Sequence, residues 1–165
     1  LNGPINEEMK MPNNHTPAIT LTMAYGTNTG SGWINTTVSG IAYSYRFQGG
    51  NDGAGAISGK KGKGAVHVGF SVADAPAGPN PGGDLTTSSS ISGVSFFTLT
   101  GTTKTPYSGD ELAWNPDKQT PVTSGKIKDK MDNVQDYYYS VSILDSTQSP
   151  AITVSCDPPI KNITN

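Results

Sequence analysis

The residues of this chain that could do chemistry are its clustered glycines and lysines, two histidines, one cysteine, scattered aspartates and loop aromatics. Gly55-Ala-Ile-Ser-Gly59-Lys60-Lys61 comes nearest to a phosphate-binding loop. Such a loop needs four residues between its first Gly and a Gly-Lys-Ser/Thr, so that backbone amides and the ammonium surround phosphate. Here three intervene, and Lys61 stands where the Mg²⁺-binding hydroxyl belongs. Gly53-Ala-Gly55 fails as a dinucleotide fingerprint, since no strand–helix–strand pattern encloses it.

Blue copper requires a Cys, two His and a weak axial ligand, and no His or Met follows Cys156. Zinc is equally short of ligands. Calcium asks only for oxygens, which leaves Asp52 and Asp84 as weak candidates, with Asp129, Asp132 and Asp136 as further carboxylates. None has EF-hand spacing, and Asp beside Gly is ordinary turn chemistry. Nucleophilic hydrolysis lacks a Gly-x-Ser-x-Gly elbow. The carboxylates Asp110, Glu111 and Asp117 read as a strand entry and a turn rather than a glycosidase pair. No catalytic residue and no cofactor is therefore assigned, and the expectation is a protein without enzymatic activity.

Loop aromatics offer another chemistry. A ring flanked by Asn, Asp and Gly can stack on a sugar while amides bond its hydroxyls. Trp33, Tyr107 and Trp114 are the candidates for such a ligand-binding face, with Tyr25 beside them; the competing reading is that each plugs the core at a strand end. Three Asn-x-Ser/Thr sites, at Asn14, Asn35 and Asn162, carry little weight, because 12 Asn among many Ser and Thr produce about that number by chance.

The elements that must position these groups are strands. Asp136 to Leu144 alternates, Asp145 to Pro150 reads as a turn, and Ala151 to Cys156 returns as the second arm of a hairpin that Asp157-Pro158-Pro159 stops. Alternation places Tyr138 opposite Tyr137 and Tyr139, and puts Ile152, Val154 and Cys156 on one face, which favours a buried, inert thiol. Ala18–Tyr25 is an opening strand. In Trp33–Phe47, Ile41, Tyr43, Tyr45 and Phe47 share a face, and Gly40 marks a bulge or a break. Val66, Val68, Phe70 and Val72 alternate around an outward His67. Residues 74–90 read as a long loop, 91–100 as a strand, 101–109 as a turn region and 110–114 as a short strand. Residues 126–134 have mixed character, a helical turn or a strand edge.

This cadence predicts one all-β domain: a single-domain antiparallel β-sandwich of immunoglobulin-like, Greek-key type, with about seven or eight strands and long Gly/Pro-rich loops. Residues 1–17, punctuated by Pro4, Pro12 and Pro17, form an N-terminal arm, and residues 18–165 form the domain. With 165 residues the chain can bury a core, while 33% hydrophobic and 15% charged residues are too few for a helical bundle. The net charge of −2 argues against nucleic-acid binding, which normally needs a basic face, and Lys60, Lys61 and Lys63 read as a solvated turn. One cysteine permits no intrachain disulfide. No apolar run is long enough to span a bilayer. The start at Leu1 fits processing, trimming or a fragment, and leaves an extracellular or periplasmic site and a cytoplasmic inclusion both open.

Tyr137-Tyr-Tyr-Ser-Val-Ser-Ile, together with Asp157-Pro158-Pro159-Ile160-Lys161-Asn162, resembles the close of small bacterial β-sandwich proteins of the PixA/AidA inclusion-body type. The likeness covers about the last 26 residues. It implies a non-enzymatic, self-associating bacterial protein and transfers no site residue. The leading expectation is a structural protein whose partners are copies of itself; the alternative is a carbohydrate-binding module that meets glycans through Trp33, Tyr107 and Trp114.

Overall fold

A computed structural model describes residues 15–59, 61–74, 89–133, 135–158 and 163–164. Most of the arm, the core of the long loop, Lys60, Asp84 and Pro159–Asn162 lie outside the described residues. Twelve strand segments are present among those described: β1 (Ile19–Tyr25), β2 (Ile34–Val38), β3 (Ile41–Gly49), β4 (Ile57–Ser58), β5 (Val66–Asp74), β6 (Ser89–Thr100), β7 (Thr103–Tyr107), β8 (Leu112–Pro116), β9 (Ser124–Asp129), β10 (Tyr138–Asp145), β11 (Ile152–Cys156) and β12 (Ile163–Thr164). Six of them form one sheet in the order β2-β3-β1-β5-β9-β8, and four form a second in the order β11-β10-β6-β7. The chain is an all-β sandwich of these two open sheets. Its pairings are antiparallel except for β1 with β5 and the short β4–β12 pair, both parallel.

Alternation decides what faces inward. Tyr43, Tyr45 and Phe47 of β3, Ile19, Leu21 and Met23 of β1, and Val66, Val68 and Phe70 of β5 are buried against Tyr139, Val141 and Ile143 of β10. Phe47 and Phe70 both meet the Tyr139 ring edge-on, at centroid distances of 6.1 and 6.5 Å, the geometry that ring quadrupoles favour. The Tyr139 hydroxyl donates to the Gly55 carbonyl at 2.7 Å, so its one polar atom is satisfied inside the core.

The expected interruption at Gly40 is a two-residue hairpin turn. Ser39 and Gly40 both have positive φ (51° and 78°), the twist that joins adjacent strands tightly. Phe96 and Phe97 face opposite sides by plain alternation, while a bulge earlier in β6 shifts the phase of the strand. Gly93 pairs with Ser142 and Ile91 with Ile143, leaving Ser92 over, and its hydroxyl donates to the Ser142 carbonyl at 3.1 Å. Ile91 before the bulge and Val94 and Phe96 after it therefore all pack against the core, while Phe97 lies on the outer face, stacked on Tyr138 at 5.7 Å with the Lys104 ammonium 4.5 Å from its ring centre.

Two regions differ from expectation. The turn region 101–109 contains β7, an edge strand. Its sequence, Thr-Lys-Thr-Pro-Tyr, has no apolar alternation because an edge strand contributes little to the core. Residues 126–129 of the mixed stretch belong to β9, which pairs on both sides, with β5 and β8, and residues 130–133 leave the strand. Its inward positions hold Gly125, Ile127 and Asp129, so one apolar residue alone marks its buried face. Thr16, at the end of the arm, is buried, and its hydroxyl donates to the Ser58 carbonyl at 3.2 Å.

Candidate functional site

The three aromatics considered for sugar stacking do not converge. Trp33 leads into β2 and Trp114 lies in β8, at opposite edges of the six-stranded sheet. Five inter-strand steps of about 4.8 Å separate these edges, roughly 24 Å. Each ring is half-buried and already engaged. Trp33 lies over the Arg46 guanidinium at 5.0 Å. Trp114 meets Phe70 edge-on at 6.2 Å and spreads over Gly125, where a Cβ would come within 2.4 Å of the indole. Tyr107 packs on Tyr137 at 4.7 Å and its hydroxyl accepts the Glu111 amide at 3.2 Å. Tyr25 is tied to Asp145.

The carboxylates sort just as clearly. Asp52 Oδ1 accepts the amides of Ala54 and Ala56 at 2.8 and 3.0 Å, the side-chain turn that its Gly-rich setting suggested. Asp84 lies outside the described residues. Among the described residues, no group of three His, Cys, Asp or Glu side chains is placed to hold a metal ion. His15 and His67 are exposed, and Cys156 is buried with its Sγ 3.5 Å from Met23 Sδ; burial pushes the thiol far above its ordinary range.

Separation in sequence hides an acid pair. Glu111, just before β8, and Asp129, the last residue of β9, are 5% and 1% exposed. They neighbour one another because Leu112 pairs with Asp129. The chain after β9 curls around them. Asp129 Oδ1 accepts the Met131 amide at 2.8 Å, and Glu111 Oε1 accepts the amides of Asp132 and Asn133 at 2.8 and 3.4 Å. Asp129 Oδ2 is buried without a donor. Two ionised carboxylates can only accept, so this orphan is satisfied when a proton on Asp129 is donated toward Glu111. Burial pushes the Asp129 carboxyl up to about 7; the Met131 amide opposes the shift, while the Glu111 side chain and the Asp132 charge add to it. Both carboxyls are too deeply buried to reach a polymer substrate. Asp110, by contrast, is exposed and pairs with Lys130 at 2.7 Å.

Charge is distributed unevenly around the sandwich. One side presents β7 and β8, whose vicinity holds Lys104, Asp110, Asp117, Lys118, Lys126, Lys128 and Lys130, with Pro106 and Pro116 in the edge strands themselves. The other side presents β2 and β11, the outermost strands of the two sheets, which approach each other there. Neither 26–45 nor 146–156 contains a charged residue, and neither edge strand contains a proline. Between their ends lies an open cleft of about 480 Å³, lined by Val38, Ser39, Ile41 and residues 148–153. No single residue type in the sequence announces this side; its signal is the absence of charge from two segments that only the fold brings together.

Comparison of the chain with family models, with curated proteins and with solved structures found no match. Among the described residues, no helix is long and apolar enough to cross a membrane.

Proposed function

We propose that this protein is a non-enzymatic β-sandwich that works by associating with copies of itself. The observation that carries this reading is the uncharged side formed by β2 and β11. Sheet edges are templates for pairing, and proteins that must stay apart blunt them with lysine, proline or a covering segment. Here the β7–β8 side carries such devices, whereas neither β2 nor β11 contains a Lys or Pro; the nearest cation, Arg46 of β3, is stacked on Trp33, and the loop before β2 is tied to Asn35. A formal charge of −2 adds little repulsion between copies. The likeness of the C-terminal residues to inclusion-body proteins of the PixA/AidA type supports the same reading.

Sugar recognition is less well supported, because Trp33, Tyr107 and Trp114 share no platform and each ring already packs on a neighbour. Size-exclusion chromatography with light scattering, from low micromolar to millimolar protein, tests the proposal. Mass should rise with concentration and persist in 1 M NaCl, since screening acts on charges that this side lacks. A monomer throughout that range overturns it.

A further inference from the structure

We infer that the contact between copies is the β2 strand paired antiparallel with β2 of a second copy about a two-fold axis at Thr36, joining two six-stranded sheets into one. This inference rests on the self-association reading and specifies its interface.

Two edges lie on the uncharged side, and their burial distinguishes them. In β11, Val154 and Cys156 are already fully buried and Ile152 alone is half-buried, so pairing would cover less further apolar surface. In β2, Ile34, Thr36 and Val38 are only half-buried, although they point the same way as the core residues of β3 beside them. That incomplete burial leaves β2 with both a row of backbone groups and an apolar stripe still to be covered.

The sequence of β2 fits itself. Ile34-Asn35-Thr36-Thr37-Val38 is nearly palindromic in polarity. Antiparallel pairing centred on Thr36 sets Ile34 against Val38 on the inner face with the two Thr36 side chains between them, and sets Asn35, whose amide is bonded to the Asn28 backbone, against Thr37 on the outer. A slip by one residue would oppose inner and outer side chains and lose both matches. A two-fold contact of this kind is closed, since the same patch serves on both copies.

The neighbouring cleft adds a reason for this register. Val38 and Ile41 line it together with Pro150, Ala151 and Ile152. With Ile34 of the second copy beside Val38, an apolar side chain stands at the mouth of that cleft. A charged or proline-rich peptide would find no complement here, whereas a second β2 supplies a matching edge with no charge of its own.

A single cysteine at the two-fold axis tests the geometry directly. In Thr36→Cys, mild oxidation should yield a covalent dimer on non-reducing gels, because directly opposed Cβ atoms lie about 4.5–5.5 Å apart and the buried native Cys156 does not compete. Thr153→Cys, exposed on β11, is the control and should cross-link at least tenfold less. Thr37→Lys places a charge at an exposed position of β2 and should raise the dissociation constant tenfold or more, with the circular dichroism spectrum unchanged. If Thr36→Cys fails to cross-link while mass still rises with concentration, the β2 interface is wrong and self-association stands through another surface. If the protein is monomeric at every concentration, both are overturned.

Discussion

Asp145 and Asp129 are both aspartates at the ends of inner strands, 0% and 1% exposed, yet the fold treats them in opposite ways. Asp145 Oδ2 accepts the hydroxyls of Tyr25 and Tyr43, each at 2.8 Å, and Oδ1 accepts the Thr147 amide and hydroxyl at 3.0 and 2.6 Å. Burial pushes its carboxyl up, but the hydrogen bonds from Thr147, Tyr25 and Tyr43 outweigh burial and leave it below the usual carboxylate range. Asp129 receives one amide and faces another acid, and its carboxyl rises to about 7. The difference teaches that burial alone does not set the charge of an inner carboxyl; the donors aimed at it and the acids beside it decide as well. Asp145 is an ionised latch between the sheets, joining β10 to β1 and β3. Asp129, with its carboxyl pushed up to about 7, is a protonated packing group in acid.

The sharpest way to break this contrast is Asp145→Ala. It strands the fully buried Tyr43 hydroxyl and releases Tyr25 and Thr147, so both sheets lose their polar tie. A loss of about 3–4 kcal/mol is expected, read as a lower urea midpoint at unchanged m-value. A loss under about 1 kcal/mol would mean that Asp145 is not a latch.

Asp129 gives the next largest effect, and its sign is set by pH. Its folded pKa of about 7 lies above the ordinary 3.8, so its contribution is full below about pH 4 and is lost as pH rises through 7. Asp145, with a lowered folded pKa, contributes above the ordinary value and loses that contribution as acid carries pH through the lowered one. Between pH 5 and pH 8 the protein should weaken by roughly 1–2 kcal/mol once solvent screening is allowed for. Asp129→Asn keeps an acceptor for the Met131 amide and supplies an N–H toward Glu111. It should abolish that decline, matching the parent near pH 4 and exceeding it increasingly up to pH 8, as seen in urea midpoints across the range. A parallel decline in the variant would remove Asp129 from the account.

How much of this was legible in the sequence depends on how local its cause was. The alternation of β3, β5 and the β10–β11 hairpin stands in the residues themselves, and with it the all-β sandwich. The inward positions of β9 read poorly because Gly125 and Asp129 occupy them, and β7 because an edge strand needs no apolar face. The bulge at Ser92 explains why Ile91 faces the same way as Val94 and Phe96, which unbroken alternation would have put on the opposite face. The acid pair had no signal, since Glu111 and Asp129 meet only through the β8–β9 register. The same holds for the uncharged side, which joins residues 26–45 to 146–156. Trp33, Tyr107 and Trp114 were legible as rings at strand ends, but their separation was not, because it follows from strand order.

The smallest effect asks whether the latch is uniform. Tyr25 and Tyr43 donate to the same oxygen at the same distance, and the Tyr25 hydroxyl also meets Thr147 Oγ1 at 2.5 Å, so a count of bonds favours Tyr25. Their surroundings differ: Tyr43 is 0% exposed, while Tyr25 is half-buried near the open end of β1. In Tyr43→Phe no water can replace the lost donor, and Asp145 keeps its charge with one partner fewer. A cost of about 2 kcal/mol is expected, within the range for a hydrogen bond to a charged group. In Tyr25→Phe solvent can supply the missing donor, and the cost should fall to about 0.5–1 kcal/mol. Urea midpoints of the two variants at pH 6 measure the difference. Equal losses would show that water does not reach the outer side of Asp145, and that the latch is closed at both ends.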